Sequence, residues 1–214
     1  ISRISRVDLM ALILGTNSIK DTGFNVDNSL RFNDGSSDDL RRTPSSTSNR
    51  KTWTFSTWVK RSALTNDKVS LFGSNNANTD AGYMQFRFQE GETLNLTGYT
   101  VDYRTTNRVF RDLSAWYHIV LALDTTQGTA SNRLKLYING VEETSFSTSN
   151  NPTLNQDTPI NVASSVNYIG SESYSSGGSR YFDGYMAETV LVDGSQLTPT
   201  SFGEFDEDTG IWKP

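Results

Sequence analysis

Apolar and polar residues alternate with a period of two along much of the chain from residue 29 onward. In an extended backbone successive side chains point to opposite faces, so this alternation is typical of half-buried β-strands. It predicts strands around Leu30 and Phe32 and along residues 53–59, 83–89 and 134–138. No stretch keeps a helical period over the roughly 11–18 residues that an amphipathic helix needs. The pattern therefore predicts an all-β protein with little helix.

Residues 116–124, with the sequence WYHIVLALD, are apolar on both faces, which predicts a strand in the middle of a sheet that is covered on each side. Residues 168–170 and 181–192 are predicted as further strands. Asn139 and Gly140 separate two apolar runs and predict a type I′ hairpin, whose two central residues need positive φ. We expect the following side chains to be largely buried: Trp53, Phe55, Phe86, Trp116, Ile119, Leu121, Leu136 and Ile138.

Trp58 interrupts the polar face of the strand predicted along residues 53–59. The ring is either a packing residue beneath a loop or an exposed aromatic that binds a ligand. Packing is the favoured interpretation.

The 214 residues suit a single β-sandwich, since such domains reach about 200–250 residues. We assign residues 1–28 to an N-terminal arm with weak periodicity and residues 29–202 to the domain. Residues 203–214 are predicted to be a C-terminal extension or the start of a following segment. Residues 9–14, LMALIL, form an apolar run far shorter than the roughly 18–20 residues of a membrane-spanning helix, so we predict no membrane insertion.

Charge and composition narrow the function classes. The formal net charge is -5, so the chain lacks the basic footprint of a nucleic-acid-binding protein. It contains no cysteine, which excludes a disulfide scaffold and thiolate metal sites. His118, the single histidine, cannot build a multi-histidine zinc site.

The sequence offers no convincing catalytic set. A glycoside hydrolase needs two carboxylates that flank the scissile bond. Glu188 and Asp193 are five residues apart in a predicted strand and should point to opposite faces. His118 lies inside an apolar strand, where a packed, hydrogen-bonded role is favoured over that of a general base. We therefore predict that the protein is not an enzyme.

Two groups of residues are candidates for binding sugars, since lectin-type sites combine exposed aromatics with polar side chains. Tyr174, Arg180 and Tyr181 bracket a Ser/Gly-rich loop, and a second patch contains Tyr99, Tyr103 and Arg104. Either patch is also compatible with a protein-contact surface, because tyrosine and arginine dominate interface hot spots. Scattered exposed tyrosines without a partner are a third interpretation.

Calcium is the one metal that the sequence suggests as a cofactor. Asp34, Asp38 and Asp39 form a cluster of carboxylates, which calcium prefers as ligands. The same residues are also common in ordinary turns. Both interpretations remain open from the sequence.

Five short segments occur in the order seen in laminin G-like and pentraxin-like domains, which belong to the concanavalin A-like group. This resemblance covers residues 29–202 and implies a two-sheet antiparallel jelly-roll sandwich. It says little about function, because one fold hosts many functions. The segments are WTFSTWV (53–59), WYHIV (116–120), LKLYING (134–140), YIG (168–170) and FDGYMAE (182–188).

A narrower resemblance links the chain to virion proteins of tailed phages, especially marine ones. Residues 29–33, 42–45 and 49–54 are similar to segments that open such a domain, and residues 203–214 also resemble that group. This resemblance implies a structural or adhesive protein on the virion exterior, such as a capsid decoration, fibre or tail component. Its expected partners are other virion proteins, copies of itself and host-surface glycans. The alternative is a secreted or cell-surface bacterial lectin module.

Overall fold

A computed structural model describes residues 26, 28–64, 67–163, 165–172 and 180–214. In these residues two large antiparallel sheets and a two-stranded ribbon contain all of the strands. The helical structure there is limited to short 3-10 turns, and no helix is long and apolar enough to cross a membrane. The predicted all-β sandwich is confirmed.

In chain order the strands are β1 (Leu30–Phe32), β2 (Leu40–Arg42), β3 (Thr52–Arg61), β4 (Val69–Asn75), β5 (Tyr83–Gln89), β6 (Thr93–Gly98), β7 (Asp102–Val109), β8 (Tyr117–Asp124), β9 (Leu134–Ile138), β10 (Val141–Glu142), β11 (Phe146–Ser149), β12 (Asn167–Ile169), β13 (Gly184–Asp193), β14 (Glu204–Phe205) and β15 (Trp212–Lys213). The first sheet has six strands in the order β1-β13-β3-β8-β9-β10, and the second has seven in the order β11-β7-β6-β5-β4-β12-β2. Strands β14 and β15 pair only with each other.

The core lies between the inner faces of the two sheets. Phe55 on β3 stacks on Phe72 on β4 with ring centroids 4.4 Å apart and an interplanar angle of 6°. Trp53 meets the same Phe72 ring edge-on. Burial of each such side chain stabilises the fold by about 1.5–3 kcal/mol. The period-2 alternation in the sequence directs the apolar side chains to these inner faces, so their burial there is the main contribution to stability.

The predicted core residues are buried with one exception. Trp116 is 36% exposed, so the prediction of its burial is wrong. The reason is that β8 begins at Tyr117, which leaves Trp116 on the loop before the strand. Trp58 is buried, as the packing interpretation predicts.

Residues 195–213, which we call the C-terminal segment, cover part of the outer face of the first sheet. Thr54 Oγ1 donates a hydrogen bond to the Ser195 carbonyl and accepts one from the Leu197 amide, each at 2.8 Å. Further along, Trp212 packs with Trp58 and Ala187 in a second buried cluster. Part of the predicted extension, residues 203–214, therefore lies against the sheet.

The β9–β10 hairpin has the turn that the sequence predicts. Asn139 has a φ of 49° and Gly140 a φ of 80°, and Val141 pairs directly with Ile138. A Cβ atom on Gly140 would lie 2.2 Å from Cε3 of Trp212. Glycine is thus required here both by the backbone conformation and by the close approach of the C-terminal segment.

We expect Gly140→Val to lower the melting temperature substantially, because a β-branched residue at positive φ is strained and its side chain collides with Trp212. Gly91→Val is the matched control, since Gly91 has a φ of 78° but a Cβ atom added there would have no neighbouring atom within 4 Å. Thermal denaturation followed by circular dichroism should show the larger loss for Gly140→Val. Equal losses would mean that contact with Trp212 adds nothing.

Candidate functional site

A polar cavity of about 300 Å³ opens on the outer face of the second sheet. In β5 the side chains of Met84, Phe86 and Phe88 enter the core. The alternating residues, Tyr83 and Arg87 among them, therefore point to the opposite face. The residues that line this polar cavity are Lys68, Asn75, Asn78, Tyr83, Arg87, Thr97, Gly98, Tyr99 and Arg180.

A fully buried carboxylate, Glu172, lies beneath the polar cavity. Tyr83 Oη donates a hydrogen bond of 2.6 Å to Glu172 Oε1, and Arg180 Nη1 lies 2.8 Å from the same oxygen. Arg87 Nη1 lies 3.6 Å from Oε2. Burial, followed by the charge of Glu172, raises the pKa of Tyr83 far above its ordinary value, so the hydroxyl stays protonated and remains a donor.

Arg87 is held in place by a ladder of side chains across three strands. Its Nε donates to Asn95 Oδ1 at 3.0 Å, directly across the β5–β6 register. Asn95 Nδ2 in turn donates to Thr105 Oγ1 at 3.1 Å on β7. The guanidinium is therefore positioned before any ligand arrives, which lowers the entropy cost of binding.

Tyr99 stands at the rim of the polar cavity with 49% of its surface exposed. It lies on the turn between β6 and β7, next to Thr100. The backbone N and Oγ1 of Thr100 donate to the two oxygens of Asp80 at 2.8 and 2.7 Å, which fixes the turn. The result is an exposed aromatic ring beside amide and guanidinium groups, the combination that suits a sugar ring and its hydroxyls.

The structure brings together one residue from each predicted sugar-binding patch. Arg180 and Tyr99 line the same polar cavity, although they are far apart in the sequence. Tyr181 is half-buried and does not line it. Tyr174 lies outside the described residues.

The prediction that Tyr103 and Arg104 form part of an exposed second patch is wrong, because both side chains are buried. Tyr103 belongs to the core, and its hydroxyl accepts a hydrogen bond from Gln156 Nε2. Arg104 Nη2 donates to the Leu134 carbonyl at 3.3 Å. The register of β6 with β7 shifts at this point, so that both side chains turn inward.

Two of the three aspartates proposed for calcium have other partners. Asp38 accepts a hydrogen bond from the Asn33 amide within a turn. Asp39 forms an ion pair with Arg41 at 2.8 Å and accepts a hydrogen bond from Ser171. No three histidine, aspartate or glutamate side chains in the described part of the chain come close enough to hold a metal, so Asp34, Asp38 and Asp39 do not form the predicted cluster.

His118 lies between Ser56 and Trp212 on the outer face of the first sheet. The indole Nε1 of Trp212, which is only a donor, gives a hydrogen bond of 2.9 Å to His118 Nδ1. The neutral ring therefore carries its proton on Nε2 and donates it to Ser56 Oγ, 2.9 Å away. Because Nε2 is already protonated, His118 cannot act as a base toward Ser56. Glu188 lines a small cavity together with Ser56 and His118, but its presence does not change the tautomer that Trp212 imposes. The predicted packed and hydrogen-bonded role is confirmed.

A third feature is a mainly apolar cavity of about 350 Å³ at the edge of the C-terminal segment. Three tryptophans line it, namely Trp58, Trp116 and Trp212, together with Lys213. We call it the tryptophan cavity. It offers aromatic surface but far fewer polar groups than the polar cavity on the second sheet.

The fold and the polar outer face define a β-sandwich of the lectin type. Residues 34–200 match the family described as the concanavalin A-like lectin/glucanases superfamily. The chain therefore belongs to this superfamily, in agreement with the laminin G-like resemblance. No curated protein matches the chain in sequence.

Three solved structures illustrate what the fold is similar to. A heptameric SAP-like pentraxin from Limulus polyphemus is 17% identical, with a TM-score of 0.51 over 76% of this chain and 72% of that one. Domain 4 of AbnA, an extracellular arabinanase from Geobacillus stearothermophilus in complex with arabinotriose, is 24% identical, with a TM-score of 0.52 over 76% and 69%.

The third is a putative carbohydrate binding protein from Bacteroides ovatus, 17% identical with a TM-score of 0.53. The match covers 80% of this chain and 44% of that one. At these identities the similarity concerns the fold alone.

We expect His118 to make stability depend on pH. Burial lowers its pKa from 6.5 to about 4, so the unfolded chain takes up a proton more readily than the folded one between these values. The stability contributed by the neutral ring is complete above pH 6.5 and is lost as the pH falls toward 4. The loss reaches about 3 kcal/mol at about 1.4 kcal/mol per pKa unit.

Melting temperatures measured from pH 7.5 to 4 should therefore fall more steeply for the natural protein than for His118→Gln. The variant cannot titrate at this position, and carboxylates elsewhere affect both proteins alike. Parallel curves would show that protonation of His118 does not oppose folding.

Proposed function

We propose that this domain binds carbohydrate through the polar cavity on the second sheet. The observation that carries the proposal is the meeting of exposed Tyr99 with Asn75, Asn78 and two positioned arginines in one cavity. A tyrosine ring stacks on the apolar face of a pyranose, while amides and guanidinium groups bond its hydroxyls. The superfamily and the two neighbours described as binding carbohydrate or holding arabinotriose support the same class of ligand.

We further propose that binding occurs without catalysis. The hydrogen bond from Trp212 fixes His118 in the tautomer that cannot activate Ser56. Glu172, which lies beneath the polar cavity, is fully buried and already engaged by Tyr83 and Arg180. A hydrolase needs a second carboxylate across the scissile bond, and the described residues that line the polar cavity provide none.

The binding proposal is tested on an array of neutral and acidic glycans, with Tyr99→Ala as the informative variant. We expect saturable binding by the natural protein, with the bound glycan recovered unchanged. Tyr99→Ala should weaken binding roughly tenfold, since it removes the buried area of the ring together with a contact that, between two aromatic rings, contributes about 0.5–1.5 kcal/mol beyond that area. Tyr137→Ala, on the first sheet, is the control and should bind normally. Equal losses, or no binding to any glycan, would contradict the proposal.

We also propose that the protein is a structural or adhesive component of a phage virion, exposed on its exterior. Support comes from the resemblance of residues 29–33, 42–45, 49–54 and 203–214 to segments of such proteins. In this setting other virion proteins and copies of the chain are its partners, and host-surface glycans are its ligands. A secreted or cell-surface bacterial lectin is the alternative, with the same ligand class.

Antibodies against the domain distinguish the two settings. A virion component should be labelled at repeated positions on intact particles seen by electron microscopy, and purified particles should contain the chain in a fixed ratio to the major capsid protein. Labelling of the bacterial surface or recovery from culture medium without particles would favour the alternative.

A further inference from the structure

We propose that the glycans taken by the polar cavity are acidic, with carboxylate or sulfate groups that pair with Lys68, Arg87 and Arg180. This inference rests on the carbohydrate-binding function proposed above and names the chemical class of the ligand. It is carried by the charge and the geometry of the cations in the cavity.

The lining of the polar cavity is positively charged although the chain as a whole has a net charge of -5. Three cations among the described lining residues and the buried Glu172 beneath them sum to a charge of +2. Asp67 accepts a hydrogen bond from the Lys68 amide but does not line the cavity. Asp80 lies just outside, against Gly98, where Thr100 donates two hydrogen bonds to it. A concentration of cations on an otherwise acidic protein is a local feature and not a general property of the surface.

The arginines are held in orientations that suit an anion. Arg87 is fixed through Nε to Asn95 and lies near Glu172 and Tyr83 through Nη1. Its Nη2 makes no hydrogen bond with any described residue, and this atom keeps some solvent-accessible surface. Arg180 is oriented by its bond to Glu172. Positioned guanidinium groups bind carboxylate and sulfate oxygens with charge-assisted, often paired hydrogen bonds.

Lys68 supplies a third positive charge at the cavity. It has no carboxylate within ion-pair distance among residues 26–214 that the structure describes. A neutral sugar that displaced water here would leave the Lys68 ammonium desolvated without a compensating charge, which is costly. An acidic sugar supplies that charge, so the same group favours one class of ligand and disfavours the other.

Matched pairs of oligosaccharides test this inference by calorimetry. Tetragalacturonate is compared with its methyl ester, which keeps the rings and removes the charge. A κ-carrageenan tetrasaccharide is compared with its desulfated form. We expect the acidic member of at least one pair to bind roughly tenfold or more tightly than its neutral partner, because hydrogen bonds between charged groups are stronger than those to neutral groups. The pair that shows the difference identifies carboxylate or sulfate as the recognised group.

Lys68→Gln should reduce binding of the acidic member roughly tenfold and leave the neutral member unchanged. Arg180→Gln should weaken both members, because Arg180 also belongs to the proposed sugar-binding set, and the acidic member should lose more. Arg111→Gln removes the same charge from an exposed position outside the polar cavity and should have no effect. Lys68→Gln is the safer variant, because it leaves the contacts of Glu172 intact.

The outcomes distinguish failure of the acidic preference from failure of the proposed carbohydrate binding. Equal binding of acidic and neutral members overturns the acidic preference and leaves carbohydrate binding in place. Losses that are equal for Arg111→Gln and Lys68→Gln show a diffuse charge effect and also overturn it. If no member of either pair binds, the inference fails, and the glycan array alone decides the proposed function.

Discussion

The face-to-face packing of the two sheets is the constraint on which the rest of the structure depends. Each sheet must bury one apolar face, and the stack of Phe55 on Phe72 lies where the two faces meet. Once the inner faces are used for the core, only the outer faces and the connecting loops remain for binding. One outer face is partly covered by the chain and the other carries polar side chains, and this difference determines where the candidate site lies.

The central part of the outer face of the first sheet is covered by the chain itself. Val120 and Ala122 are fully buried there, and the C-terminal segment lies over them and His118. The outer face of the second sheet instead carries polar and charged side chains. Burial of Glu172 would cost several kcal/mol without partners, and Tyr83, Arg87 and Arg180 provide them. Glu172 thereby joins one end of the Ser/Gly-rich segment to β5, and its ion pair with Arg180 holds the other end next to it.

The strands with regular alternation were predictable because their inner faces are apolar, as along residues 53–59, and the hairpin was predictable from Asn139 and Gly140. Strands β6 and β7 were not predicted. In β6 the alternation of Leu94 and Leu96 with polar residues is a signal from which the strand was predictable. In β7 the sequence DYRTTNRV has no such pattern, because a shift in register turns inward residues that strict alternation would place outside.

The candidate site was predictable only in part. Tyr99 and Arg180 were recognised as residue types that bind sugars, but no local pattern indicates that they share a cavity. Their meeting depends on the long-range pairing of β4 with β5 and with β12. The partners of His118 were beyond local reasoning for the same reason, since Trp212 arrives from the C-terminal segment.

Backbone amide NMR of the labelled domain, titrated with tetragalacturonate, tests the central claim most directly. The account predicts that chemical-shift changes centre on the polar cavity, around Lys68, Tyr83, Arg87, Tyr99 and Arg180. Changes centred instead on the tryptophan cavity, around Trp116 and Trp212, or on the turn that contains Asp38 and Asp39, would contradict it.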